Sequence, residues 1–216
     1  MIARPFVIAH RAANDLDALG RAAELGLPWV EADLRLFRGR IEVRHLKTLG
    51  PVRVLWDRWF LAPRSTGRLL LGELLAAAPR GTGTQLVLDL KGPDARLGRR
   101  VVDALRAEPD LRPITVCARS WRQLRHFRDE PGVRLLHSVG SAGQLRRVLR
   151  GGDRLEGVSI HARLLTRETA ARLRERADLL VSWPVNTLEE ARRLLALGVD
   201  GLISDEPERL AAALGR

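Results

Sequence analysis

Short apolar runs alternate with stretches of helical periodicity along the whole sequence, and this alternation restricts the fold more than any other feature. The runs lie at 6–9, 29–34, 41–45, 85–90, 114–118, 133–137, 157–160, 179–183 and 201–204. Helical spacing of apolar residues covers 14–26, 69–78, 94–107, 119–130, 141–150, 165–177, 187–197 and 206–215. Such alternation builds βα units on a parallel sheet. Asn14, Asp94, Ser120, Thr166 and Thr187 are suited to N-capping, and Gly26, Gly140 and Gly198 to helix ends or turns. One gap breaks the pattern. Only 34–41 separates the second run from the third, too short for the crossover that a parallel return requires. Those two runs are predicted to form an antiparallel hairpin turning at Arg38-Gly39-Arg40. Setting the return strand aside leaves eight strands and eight helices. That is the count of an α/β (βα)8 TIM barrel with an extra antiparallel hairpin strand after strand 2. The expected organisation is one domain over 1–216, slightly short for this fold, with no repeat or second-domain boundary.

Polar residues stand where the apolar runs stop. His10-Arg11 follows Phe6-Val7-Ile8-Ala9, Glu31 and Asp33 lie in the second run, His45 ends the third, and Asp89 and Lys91 close the fourth. In a parallel barrel the C-terminal strand ends share one face, and that face carries the chemistry. Glu31 and Asp33 share one side of their strand, with Val30, Ala32 and Leu34 on the other. The acids are therefore expected to point into the barrel. Three carboxylates converging there repel one another unless a cation joins them. The pattern reads as a metal-dependent site for an anionic substrate. Asp33 and His45 are each six residues from Gly39, so a hairpin centred on Gly39 sets them directly opposite.

Composition narrows the class. Hydrophobic residues make up 45% of the chain, enough for a sizeable core and too many for disorder. The single cysteine, Cys117, excludes an internal disulfide, fits a reducing compartment and reads as a buried strand thiol. Polar His10-Arg11 arrives too early for a signal peptide, and no apolar run approaches the ~20 residues of a membrane span. A cytoplasmic location is expected. The net charge of +11 admits nucleic acid, anionic lipid or a phosphorylated substrate as partner. The arginines are spread over nearly every helix without aromatic interleaving, which argues against nucleic acid. Only two lysines, Lys47 and Lys91, stand among 37 basic residues, each two positions after a candidate site residue. An ammonium kept in so arginine-rich a chain hints at a specific use.

The motifs resemble the glycerophosphodiester phosphodiesterase family over nearly the full length. The family opens with a strand ending in His-Arg, here His10-Arg11. It continues with Glu-x-Asp, here Glu31-Ala32-Asp33, then a histidine after a hairpin, His45, and an acid-x-Lys strand, Asp89-Leu90-Lys91. Near the C-terminus Trp183-Pro184-Val185-Asn186 and Gly198-Val199-Asp200-Gly201-Leu202-Ile203-Ser204-Asp205-Glu206-Pro207 match its two closing motifs. The first loop is shortened to His10-Arg11-Ala12-Ala13-Asn14-Asp15, without the usual proline and glutamate, and Leu46 replaces an aspartate. Asp89 in place of glutamate, with Lys91 at +2, is similar to the related phospholipase D toxins of the sphingomyelinase D branch.

The resemblance implies a phosphoric diester hydrolase of lipid metabolism that releases an alcohol and glycerol 3-phosphate. Glu31, Asp33 and Asp89 are the expected ligands of one divalent cation, Mg²⁺ or Ca²⁺. Arg11 and Lys91 are expected to hold the remaining phosphate oxygens, with Trp183 stacking on the substrate. His10 and His45 are expected to divide general base and general acid duties, and His137 and His161 to line the pocket. The segment 46–68, with Trp56, Trp59, Phe60, Arg53, Arg58 and Arg64, reads as a loop that grips a lysolipid or touches a membrane surface. The alternative function is a catalytically impaired barrel that binds phosphorylated ligands or anionic surfaces.

Overall fold

The computed structural model describes residues 5–48, 54–57, 60–62, 66–81 and 83–215. In chain order the elements are β1 (Phe6–Ala9), α1 (Leu16–Glu24), β2 (Trp29–Phe37), β3 (Arg40–Val43), β4 (Lys47–Thr48), β5 (Leu55–Asp57), β6 (Phe60–Leu61), β7 (Leu69–Leu70) and α2 (Leu71–Ala77). They continue with β8 (Gln85–Leu90), α3 (Arg96–Arg106), β9 (Ile114–Ala118), β10 (Val133–Val139), α4 (Ala142–Arg150), β11 (Leu155–His161), α5 (Arg167–Arg176), β12 (Ala177–Trp183), α6 (Leu188–Ala196), β13 (Gly201–Ser204) and α7 (Pro207–Ala213). Eight strands pair in parallel in the order β1-β13-β12-β11-β10-β9-β8-β2, and β2 returns to β1 through Ile8↔Trp29 and Ala9↔Val30. The sheet is thus a closed barrel, the (βα)8 architecture, with β3 and β7 added on the overhang of β2. A small antiparallel sheet, β4-β5-β6, stands apart from it. No helix among the described residues is long and apolar enough to cross a membrane.

Alternating side chains divide the core in two. Val30, Ala32 and Leu34 face outward onto the helices, as do Leu86, Leu88 and Leu90. Phe6, Ile8, Trp29, Val87, Cys117, Leu136, Leu179, Val181 and Ile203 fill the barrel interior. The Phe6 and Trp29 rings meet at 4.7 Å. Burying each such large apolar side chain contributes roughly 1.5–3 kcal/mol. A Cβ on Gly201 would lie 2.6 Å from the Phe6 ring, so that position gives its volume to the aromatic pair.

The hairpin forms as expected, with a different register. Arg38 (φ 46°) and Gly39 (φ 79°) are both left-handed, as a two-residue type I′ turn requires. The centre of this turn falls between them, half a residue before Gly39. Leu34 therefore pairs with Val43 and Phe37 with Arg40, and the Arg44 N–H donates to the Asp33 carbonyl at 2.7 Å. Arg44, not His45, lies opposite Asp33.

Two further expectations are corrected. Asp15, rather than Asn14, caps α1, accepting from the Ala18 N–H at 2.9 Å, while Asp94 sits before α3 and accepts from the Arg96 N–H at 3.0 Å. The stretch 119–130 holds no α-helix, only a 3₁₀ turn at Leu124–Phe127. Its side chains are committed elsewhere: Trp121 donates to the Ser138 carbonyl at 3.1 Å and Gln123 to the Gly92 carbonyl at 2.6 Å. Its backbone lies against α3 at Gly98. In the segment 46–68, Trp59, Arg53, Arg58 and Arg64 fall outside the described residues.

The Gly98 contact makes a prediction whose sign opposes helix propensity. Alanine at a helix interior is worth about 1 kcal/mol over glycine. A Cβ at Gly98 would meet the Gln123 carbonyl oxygen at 2.7 Å, a backbone atom. Gly98→Ala is expected to destabilise the protein by ~1–3 kcal/mol in urea unfolding. A neutral or stabilised variant would show that this interface yields.

Candidate active site

Along the inward-facing positions, apolar residues give way to polar ones toward the C-terminal mouth. Trp29 is followed by Glu31 and Asp33, Val87 by Asp89 and Lys91, Ile8 by His10, Cys117 by Arg119, and Ile203 by Asp205. The pleat repeats every two residues, so a strand whose deep position fills the barrel places its next inward residue at the mouth. Most of these polar residues, with His45, Asp57, His161 and Trp183, line one cavity of about 360 Å³.

Glu31, Asp33 and Asp89 each present a carboxylate oxygen within 4.8 Å of the others. The Lys91 ammonium stands among them, 2.7 Å from Asp33 Oδ1 and 4.0 Å from Glu31 Oε1, and in contact with Asp89 Oδ2. Burial pushes the Asp33 carboxyl up, but the Lys91 charge and hydrogen bonds from Lys91 and Asn14 outweigh it and hold it at about 2. Burial also disfavours the Lys91 charge, and the surrounding carboxylates reverse that and raise its pKa. Glu31 differs: burial, then the charge of Asp33, raises its carboxyl well above the usual range. One ammonium does not balance three carboxylates, and Asp89 Oδ1 is buried with no hydrogen-bond partner among the described residues. The donor set is all oxygen and short of positive charge, which suits a hard divalent cation.

The first loop shapes this cluster. Arg11 adopts φ 58°, ψ 9°, a left-handed conformation that costs a non-glycine residue about 1–3 kcal/mol. The conformation accompanies a 2.8 Å hydrogen bond from its N–H to Glu31 Oε2, and Arg11 Nε lies 3.6 Å from Asp33 Oδ2. Asn14 clasps Asp33 from both ends, donating to Oδ2 at 2.9 Å and accepting from the backbone N–H at 2.7 Å.

Each histidine is paired with a carboxylate through Nδ1. His10 Nδ1 lies 2.5 Å from Asp205 Oδ1, with Nε2 3.9 Å from Glu31 Oε2. Asp205 is itself bracketed: Asn186 donates to Oδ2 at 2.7 Å, and Asn186 Oδ1 accepts from the Asp205 N–H at 2.9 Å. His45 Nδ1 lies 3.0 Å from Asp57 Oδ2, and Arg35 donates to the His45 carbonyl at 3.1 Å. Burial holds both imidazoles below their ordinary pKa despite these carboxylates. A carboxylate on Nδ1 fixes the tautomer and turns Nε2 toward the cavity. Sequence reasoning missed Asp57, Asp205, Asn186, Arg35 and the true task of Asn14. The two closing motifs, 183–186 and 198–207, were the available signal for Asp205 and Asn186.

The remaining candidates divide. Trp183 lines the cavity, its ring 4.7 Å from that of His161 and 4.9 Å from the Arg119 guanidinium carbon. His137 is not among the cavity-lining residues and packs edge-on to Trp121 at 5.3 Å. Lys47 also lies outside the cavity lining, 4.7 Å over Trp56. Asp200 lies at the N-terminal end of β13, where Arg174 donates to it twice, at 2.6 and 2.7 Å. Cys117 is buried at the cavity floor, and burial followed by the charge of Asp89 raises its thiol well above the usual value.

By sequence, no family model and no curated protein matches the chain. By structure, it superposes on a phosphodiesterase from Oleispira antarctica solved with the product sn-glycerol-3-phosphate. The TM-score is 0.76 at 20% identity, over 99% of this chain and 98% of the other. A glycerophosphodiester phosphodiesterase from Parabacteroides distasonis matches with TM-score 0.75 at 19% identity, covering 99% and 98%. The glycerophosphodiester phosphodiesterase of Thermotoga maritima matches with TM-score 0.72 at 20% identity, covering 99% and 100%. The chain has the fold of that family from end to end.

Asn14→Ala removes both contacts to Asp33 without touching a carboxylate. It is expected to weaken Mg²⁺ or Ca²⁺ binding by ~10–100-fold in calorimetric titration. Unchanged affinity would make Asn14 a loop-packing residue only.

Proposed function

We propose that the protein is a phosphoric diester hydrolase, a metal-dependent glycerophosphodiester phosphodiesterase that cleaves its substrate to an alcohol and glycerol 3-phosphate. The observation that carries this reading is the pair of carboxylate-backed imidazoles, His10–Asp205 and His45–Asp57, beside a buried acidic trio. Product-bound glycerol 3-phosphate in the Oleispira structure, on the same fold, supports it.

Glu31, Asp33 and Asp89 would hold one Mg²⁺ or Ca²⁺, which supplies polarisation of a phosphoryl oxygen when bound. Arg11 and Lys91 hold the other phosphate oxygens and offset charge developing on them. One imidazole Nε2 takes the proton of the attacking hydroxyl, from water or the neighbouring hydroxyl of the glycerol. The other, entering the cycle as the imidazolium, gives its Nε2 proton to the leaving alcohol oxygen as the phosphorus–oxygen bond breaks. The carboxylate behind each ring stabilises its imidazolium, formed at the base and consumed at the acid. A neutral imidazole near pH 7, favoured by burial, is the form a base requires. Lysophospholipid substrates and peripheral membrane contact belong to the same proposal. They are supported by Leu61, 65% exposed and paired with Trp56 across the small sheet. The cytoplasmic location rests on the unpaired Cys117.

The tests separate the roles. Glycerophosphodiester cleavage is expected to stop in excess EDTA and return with Mg²⁺ or Ca²⁺; full activity in chelator would end the metal reading. Asp33→Asn should abolish cation binding with the fold intact by circular dichroism. His10→Ala should keep the cation and lower kcat by ~10²–10⁴-fold. Asp57→Asn should lower kcat by ~10²-fold with unchanged cation affinity, since it acts through His45. A loss of cation affinity in Asp57→Asn would place that residue in the wrong role.

A further inference from the structure

The cavity is electrostatically two-sided. The half built from β13, β1, β2 and β8 supplies Asp205, His10, Glu31, Asp33, Asp89 and Lys91. The half built from β9, β10, β11 and β12 supplies no carboxylate to the lining; it presents Arg119, Ser138, Ser159, His161 and Trp183. Arg119 follows Cys117 by one pleat and stands at the mouth of β9. Its guanidinium carbon lies 4.9 Å over the Trp183 ring, and Gly140 leaves it room, since a Cβ there would come within 3.3 Å of the same carbon. A guanidinium held over an indole face by the ring quadrupole keeps its N–H donors for other partners. Among the described residues, no carboxylate lies within ion-pair distance of Arg119, and its side chain makes no hydrogen bond. Beside it, His161 Nδ1 accepts from the Arg163 N–H at 3.3 Å, which leaves the proton on Nε2 as a further donor.

A diester with a single charge, placed at the acidic trio, leaves Arg119 without a counterion. A second anionic group on the alcohol portion would meet the guanidinium and the imidazole N–H together. A quaternary ammonium would meet the reverse. Its natural platform is the face of a tryptophan, and the Trp183 face already carries a cation.

We propose that Arg119, seated on Trp183 and flanked by His161, selects glycerophosphodiesters whose alcohol bears a second negative charge and disfavours choline esters. This rests on the phosphodiesterase reading above. The ligand chemistry is a terminal carboxylate or phosphate on the alcohol.

The experiment compares four glycerophosphodiesters: esters of 3-hydroxypropanoate, of propanediol monophosphate, of propanol and of choline. For the wild-type protein, kcat/KM for at least one anionic ester is expected to exceed that for the propanol ester by about tenfold, the worth of a charge-assisted hydrogen bond. The carboxylate and phosphate arms show which terminal group is taken, and the choline ester should be cleaved least. Arg119→Gln should bring anionic and propanol esters near parity and lift the choline ester toward them. Arg119→Lys, which keeps the charge, should retain part of the preference. Equal kcat/KM for the anionic and propanol esters in the wild type, or an unchanged preference in Arg119→Gln, would overturn the inference. If no diester is cleaved with either metal, the phosphodiesterase reading fails on its own. Selectivity is then read from binding of the non-hydrolysable phosphonate counterparts. Tighter binding of the carboxylate phosphonate than the choline phosphonate, lost in Arg119→Gln, would still support the anion subsite; equal affinities would overturn it.

Discussion

Three carboxylates crowded around a single ammonium set the terms for the rest of this barrel. Acids at such depth are costly unless charge and hydrogen bonds surround them. Lys91, the Arg11 backbone N–H and the Asn14 side chain are the local answer. Lys91 follows β8, whereas Arg11 and Asn14 both come from the loop between β1 and α1. The left-handed Arg11, the diversion of Asn14 from helix capping and the retention of lysine at position 91 all follow from that demand. Burial, followed by the charge of Asp33, still raises the Glu31 carboxyl above its usual range.

What the sequence made legible was parity. Glu31 and Asp33 share a face of their strand because the pleat repeats every two residues, and the apolar partners at 30, 32 and 34 mark the other face. The missing crossover between 34 and 41 likewise required a hairpin. Register was not legible at the same precision. Gly39 alone does not locate the centre of the turn, because Arg38 also takes a positive φ, and the resulting shift of one residue sets Arg44 rather than His45 opposite Asp33. His45 still lines the cavity because it lies beyond the ladder, where the Arg35 guanidinium and Asp57 hold it.

The carboxylates behind the histidines were the larger omission. Asp57 belongs to a three-stranded sheet of two- and three-residue strands, too short for any periodicity to reveal. Asp205 was visible within a motif, but a motif gives order along the chain and not which side chain it serves. The helix expected over 119–130 failed for a comparable reason. Its spacing was helical, yet Trp121 and Gln123 find hydrogen-bond partners outside the segment, and tertiary contacts override a local preference of this size.

The link between His10 and Asp205 joins the first barrel strand to the last, across 195 residues of sequence. The carboxylates of the trio come from β2 and β8, which precede β9 in the chain. The imidazole on β1 cannot be oriented until β13 has been made and has slotted beside it. Under the proposed mechanism, competence for proton transfer is thereby tied to the presence of β13. A chain truncated before β13 keeps the acidic trio in its sequence but has lost the partner that sets its first histidine.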